Sequence, residues 1–175
     1  MGNKKKRTTL IAILAVITAV AISITVWALF FRDKTTVLSP DYAPQITDEN
    51  AEAIGDGNDS KLTAPEGGGA VSLTYSKEAS ISLKDKKVNI MFQNPTKSTK
   101  DMVLQLIITS GDTETVIAQS NLLPAGYKLS EMKLLDNAKL SEGGYQGKFK
   151  ILYYNQDNGE KAVVNTEIPV GITVK

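Results

Sequence analysis

The chain has 175 residues, 20 Lys and Arg against 19 Asp and Glu, and a mean hydropathy of −0.12. That length houses one domain of ordinary size. It contains no His and no Cys. A Ser-His-Asp triad, a Cys nucleophile, a disulfide and a Cys/His zinc site are therefore all excluded.

Charge divides the chain unevenly. Residues 10–31 carry none, and all 19 acids follow them. As a helix, this 22-residue run rises about 33 Å, roughly the thickness of a bilayer's hydrocarbon core. Its polar members Thr18, Ser23 and Thr25 can each bond a carbonyl one turn back. Trp27, Phe30 and Phe31 gather at one end, where aromatic rings favour the membrane interface. Residues 8–31 are expected to form a single transmembrane helix. Lys4, Lys5, Lys6 and Arg7 form a basic tip of +4 over residues 1–7, against Arg32 and Lys34 on the far side. That asymmetry keeps the amino terminus in the cytoplasm and the rest of the chain outside. Ala19-Val20-Ala21 fits a signal-peptide cleavage site, but the run is long for a signal core, so an uncleaved signal-anchor is favoured. Ala15, Ala19 and Ser23, four apart, make a small-residue line through which two such helices can pair as a homo-oligomer.

Residues 32–70 are expected to form a flexible acidic linker. From Asp33 to Ala70 the net charge is −6, and Pro40, Pro44, Pro65 and Gly67-Gly68-Gly69 interrupt regular structure. One or two helical turns are expected after Thr47 or Asp48, either of which can cap them. Asn58-Asp-Ser60 fits a glycosylation sequon, and Asp56-Gly-Asn-Asp59 lacks the spacing of a calcium loop.

From residue 71 the apolar period becomes two. Val71-Ser-Leu73-Thr-Tyr75, Ile81-Ser-Leu83 and Val88-Asn-Ile90-Met-Phe92 alternate, with a tight turn at Asp85-Lys86. Residues 102–109 are nearly all apolar and are expected to be covered on both faces. Gly111-Asp112, Pro124-Ala-Gly126, Gly143-Gly144 and Asn158-Gly159 separate strands over 114–119, 127–134, 145–154 and 161–174. Pro169 is expected at a bulge or an edge. Seven to nine short strands without a competing helical stripe imply an all-β fold, a two-sheet antiparallel sandwich over residues 71–175. Its charge of +2 offers no nucleic-acid face.

The stretch Leu140-Ser-Glu-Gly143-Gly-Tyr145 resembles immunoglobulin-like and fibronectin-like extracellular modules, in which a strand-starting Tyr bonds the backbone just upstream. The turn Leu123-Pro124-Ala-Gly126-Tyr127 is of a kind found in many such sandwiches. The overall layout resembles small single-pass surface proteins of Gram-positive bacteria. That resemblance implies a cell-surface location and brings no activity with it.

Ser130-Glu-Met-Lys133 matches the S-x-x-K of serine acyl enzymes. In a strand, however, positions three apart point to opposite faces, and no Lys-Thr-Gly or Ser-Asp-Asn partner exists. The carboxylate pairs Asp112/Glu114 and Asp157/Glu160 fall in turns, where charge is usually solvated. No enzyme, cofactor or metal is expected. Phe149, Ile151 and Tyr153 should face the core, which leaves Tyr154 pointing outward beside Lys150 as possible binding residues. The leading expectation is a membrane-anchored, non-catalytic protein-interaction or structural module of a bacterial cell-surface assembly, with other surface proteins as partners. The alternative is a cell-wall or carbohydrate-binding module, which would need exposed aromatic rings.

Overall fold

In the computed structural model the described residues are 14, 16–23, 38–55 and 71–175. They form two units, one in Met1–Val37 and one in Leu38–Lys175. In the first, residues 14 and 16–23 are helical. Thr18 Oγ1 donates to the Leu14 carbonyl and Ser23 Oγ to that of Ala19, both at 2.9 Å, so these hydroxyls are satisfied one turn back. The remainder of the expected transmembrane run lies outside the described residues. Among the described residues no helix is long and apolar enough to cross a membrane.

The second unit is built of nine strands: β1 (Ala51–Ala53), β2 (Thr74–Tyr75), β3 (Glu78–Ser82), β4 (Lys87–Asn94), β5 (Lys100–Ser110), β6 (Thr113–Gln119), β7 (Tyr127–Lys133), β8 (Gly143–Asn155) and β9 (Lys161–Val174). Alternation places them: in β4, Val88, Ile90, Phe92 and Asn94 are buried and the residues between are more exposed. Hydrogen bonding runs β1-β7-β4-β3-β9-β8-β5-β6, with β2 added to β4. The path folds back at the β3–β9 seam. There Phe92 of β4 meets Phe149 of β8 edge-to-face, ring centres 6.0 Å apart, across the shared core.

This order is that of an immunoglobulin-like sandwich, one layer D-E-B-A and the other G-F-C-C′. Two details depart from the sequence expectation. The seam between β3 and β9 is parallel, Glu78 opposite Gly171 through Ile81 opposite Val174, so the sandwich is not wholly antiparallel. The position of strand D is filled by β1, which precedes the rest of the domain in the chain and pairs antiparallel with β7, Ala51 opposite Leu129.

β1 also corrects the linker boundary. Residues 38–55 belong to the sandwich unit rather than to a free spacer. Asp48 does cap the turn that follows, its Oδ1 accepting the Asn50 N–H at 3.0 Å. The chain then extends instead of coiling, because the open edge of β7 supplies backbone partners that two helical turns would not. Pro169 sits where expected. It lies opposite Lys148 of β8, two residues before β3 begins to pair along the other side of β9. Mid-strand Gly147 is explained by close approach: a Cβ there would collide with the Ile107 carbonyl and the Ile172 side chain. Tyr145, at the start of β8, donates to the Ser141 carbonyl at 3.0 Å and accepts from the Ser141 N–H at 3.2 Å, the corner anticipated from sequence.

Candidate functional site

Strands β5 and β8 pair along their length, so their outward side chains form one surface: Asp101 with Tyr154, Val103 with Leu152, Gln105 with Lys150 and Ile107 with Lys148. Residues 102–108 are buried throughout, as their apolar run predicts. The cover on this outer face is of two kinds.

At one end it is the chain itself. Tyr42 pairs with Glu160, the Ala43 N–H donates to the Gly159 carbonyl at 2.7 Å and the Lys161 N–H to that of Asp41 at 2.9 Å. The segment then crosses the sheet to Leu122, which bonds Asp48 and Ile46 through the backbone. This strap lays Ala43 against a small second core of Val103, Leu152 and Tyr154. Asp48, itself buried, clamps its far end by accepting the Asn121 N–H on Oδ2 at 2.7 Å. Lys161 Nζ holds the near end, reaching Ser39 Oγ at 3.0 Å.

Tyr154 is consequently not the exposed contact residue expected from β8. It does point away from the main core, but it is fully buried beneath the strap, and its hydroxyl donates to the Pro40 carbonyl at 2.9 Å. Burial, with a smaller contribution from the Asp41 charge, pushes its hydroxyl up to about 12. The folded state therefore retains a proton that the unfolded chain releases near pH 10. The stability this group contributes is intact below pH 10 and is lost as pH rises towards 12. In a titration of phenolate absorbance, the wild-type signal minus that of Tyr154→Phe should centre near 12. A difference centred near 10 would mean that the strap does not cover the ring.

At the other end the cover is ionic. Lys148 Nζ lies 2.5 Å from Glu114 and 2.8 Å from Glu167, and its ammonium is held above its ordinary value by hydrogen bonds to both carboxylates. Lys148 in turn holds the Glu167 carboxyl below its own. Lys150, the second expected binding residue, is half-buried beside this group, 3.9 Å from Glu167. Tyr154 and Lys150 thus share a face but not an open surface. Of the proposed helix-pairing line, Ala19 and Ser23 are four apart on the described helix, and Ala15 lies outside the described residues.

The sequence candidates for chemistry are dispersed. Glu114 is taken by Lys148, Glu160 accepts from Asn158 Nδ2 at 2.9 Å, and no cluster of metal-ligating side chains occurs among the described residues. Ser130 and Lys133 are both exposed on β7. The expectation of opposite faces fails because the register slips between Asn89 and Phe92 on the neighbouring strand. A shallow open groove of about 330 Å³ lies where β2 gives way to β3, lined by Ser76, Glu78, Met91 and Lys175 among others.

The sequence pattern does not mark Ile46, Val163 or Val164 as exposed apolar residues. Tyr42, Ile46, Val163 and Val164 are 62%, 71%, 102% and 73% exposed. The valines belong to a strand whose alternation predicts burial for one of them, and only the observed register shows otherwise.

No family model and no curated protein sequence matches the chain. Among solved structures, murine CRIg is similar at 10% identity over 61% of this chain and 99% of its own, with a TM-score of 0.36. The complex of CsuC with the tip subunit CsuE from Acinetobacter baumannii Csu pili shows 12% identity over 60% of this chain and 56% of the matched one, TM-score 0.36. AggA, the major subunit of Escherichia coli aggregative adherence fimbriae, shows 10% identity over 67% of this chain and 100% of its own, TM-score 0.31. The immunoglobulin-like assignment rests on strand order and register, not on these distant likenesses.

Proposed function

We propose that the chain is a membrane-anchored extracellular module that acts without catalysis, as a structural or protein-binding part of a bacterial cell-surface assembly. One observation carries the reading. A 22-residue run without charge, preceded by four basic residues, leads after only six further residues into the sandwich unit at Leu38. Once residues 38–55 are counted with the sandwich, the tether is 32–37. Seven peptide steps reach at most about 25 Å. Residues 38–55 are therefore not available as a long acidic stalk between the apolar run and the sandwich.

The non-catalytic part is supported by what the carboxylates do. Asp48, Glu114 and Glu167 are spent on backbone amides and lysines, each in a fixed structural contact. The aromatic platform required by the carbohydrate alternative is reduced to Tyr42, since Phe92, Phe149, Tyr153 and Tyr154 are buried and Tyr75, Tyr127 and Tyr145 pack against the core.

The test is fractionation with external proteolysis. The full chain should sediment with membranes through alkaline extraction, and protease added to intact wall-stripped cells should remove the sandwich. A chain lacking residues 1–31 should no longer sediment. Recovery of the full chain in the soluble fraction, or a sandwich protected in intact cells, would contradict the reading. Crosslinking on intact cells should then capture a second protein; recovery of the monomer alone would argue against an assembly role.

A further inference from the structure

Beyond anchoring, the exposed valines have a position that calls for an occupant. Between the pairs Leu152–Asn165 and Tyr154–Lys161, β8 has one residue, Tyr153, and β9 has three, Ala162, Val163 and Val164. The extra residues bulge from the strand. Ala162 packs on the core while Val163 and Val164 stand out in solvent. Edge bulges normally blunt a strand with charge or proline, as Glu167 and Pro169 do further along β9. Two adjacent β-branched apolar residues do the opposite.

Their surroundings are specific. Lys161, two residues before Val163, is bonded to Ser39 and Asp41, and Glu160 pairs with Tyr42. Leu38 and Tyr42, 45% and 62% exposed, thus lie at the same end of β9 as the valines. This is the end at which the chain arrives from the apolar run, with six residues between Phe31 and Leu38. The other end of β9, at Val174, is 13 residues further, or about 43 Å along the strand. A tether of at most about 25 Å is short against that length, so the valine end is the one within reach of the membrane.

We infer that Val163 and Val164, with Leu38 and Tyr42, form an apolar tip that seats in the headgroup region of the bilayer holding the chain's own apolar run. The inference rests on the membrane-anchored reading above. Charges near the tip are mixed, Lys161 against Asp41 and Glu160, so the contact is apolar and neutral lipid suffices. The tip fixes the tilt of the sandwich and turns the opposite end, with Gly111, Lys139 and Lys175, away from the membrane.

Because the chain has no Cys, a single one can be introduced and labelled with a polarity-sensitive fluorophore. The full-length chain carrying Val164→Cys or, as the distal control, Lys139→Cys is reconstituted into phosphatidylcholine vesicles and floated. Lipids bearing a nitroxide about 5–10 Å below the headgroups should quench the label at 164 several-fold more than that at 139. Adding Val163→Asp to the Val164→Cys chain should abolish the difference. Flotation with equal, weak quenching at both positions would overturn the tip while leaving the anchor standing. Failure to float would overturn the anchor and the tip together. Quenching differences present only at high protein-to-lipid ratios would assign the valines to contact between copies and overturn the inference.

Discussion

A chain that begins at Val71 is expected to lose most of the sandwich's stability. Without the strap, Val103, Leu152 and Tyr154 face water, β7 regains an open edge and Asn121 loses its buried carboxylate acceptor. The single change Tyr154→Ala removes the largest of these side chains. Truncating a fully buried aromatic costs about 3–5 kcal/mol. Removing the whole strap should cost at least as much, against a typical total of about 5–15 kcal/mol for a domain. Chemical denaturation of the 38–175 domain, of its Tyr154→Ala variant and of the 71–175 chain should give unfolding midpoints falling in that order. If the 71–175 chain unfolds at the same denaturant concentration as the longer one, the strap is a passenger.

Asp48→Ala should be the most damaging single substitution of a polar residue in the strap. The carboxylate is buried and accepts two backbone amides, Asn50 on one oxygen and Asn121 on the other. Hydrogen bonds to an ionised group are worth about 1.5–3 kcal/mol each, and an amide left unpaired adds a desolvation cost. A loss of about 2–3 kcal/mol is expected, since some water reaches the vacated site. Asp48→Asn keeps one acceptor oxygen in place and should lose about half as much. Equal losses for both variants would show that the bond Asn retains contributes nothing. Losses below about 0.5 kcal/mol, the scale of ordinary surface substitutions, would show that Asp48 does not clamp the strap.

These expectations concern the part of the fold that was hardest to read from sequence. Strands β4, β5, β8 and β9 were legible because alternation or continuous apolarity marks them and Gly-containing turns bound them. The Tyr145 corner was legible through the resemblance of Leu140-Ser-Glu-Gly143-Gly-Tyr145 to immunoglobulin-like modules, and the hydroxyl does bond Ser141. Residues 38–55 were not. They are acidic, proline-interrupted and largely exposed, which is the composition of a spacer. They join the sandwich through backbone pairing, which leaves little trace in side-chain pattern. β1 has only three residues, Ala-Glu-Ala, and no apolar alternation, so nothing but the open edge of β7 selects it. The same gap misplaced Tyr154. Its direction away from the main core followed from the two-residue period, but its burial depends on a segment 114 residues away. Val163 and Val164 escaped for a related reason: a bulge resets which side chains point inward, and only the partner strand reveals it.

Residues 38–55 form an integral strap and edge strand of the sandwich. Native-state hydrogen exchange on the 38–175 domain tests this most directly. The N–H groups of Ala43, Asp48 and Ile54 donate to Gly159, Leu122 and Gly126 at 2.7–2.8 Å. They should exchange slowly, with protection approaching that of β5 and β8 and reduced in Asp48→Ala. Exchange of all three at the rate of an unstructured peptide, with β5 and β8 still protected, would contradict the claim.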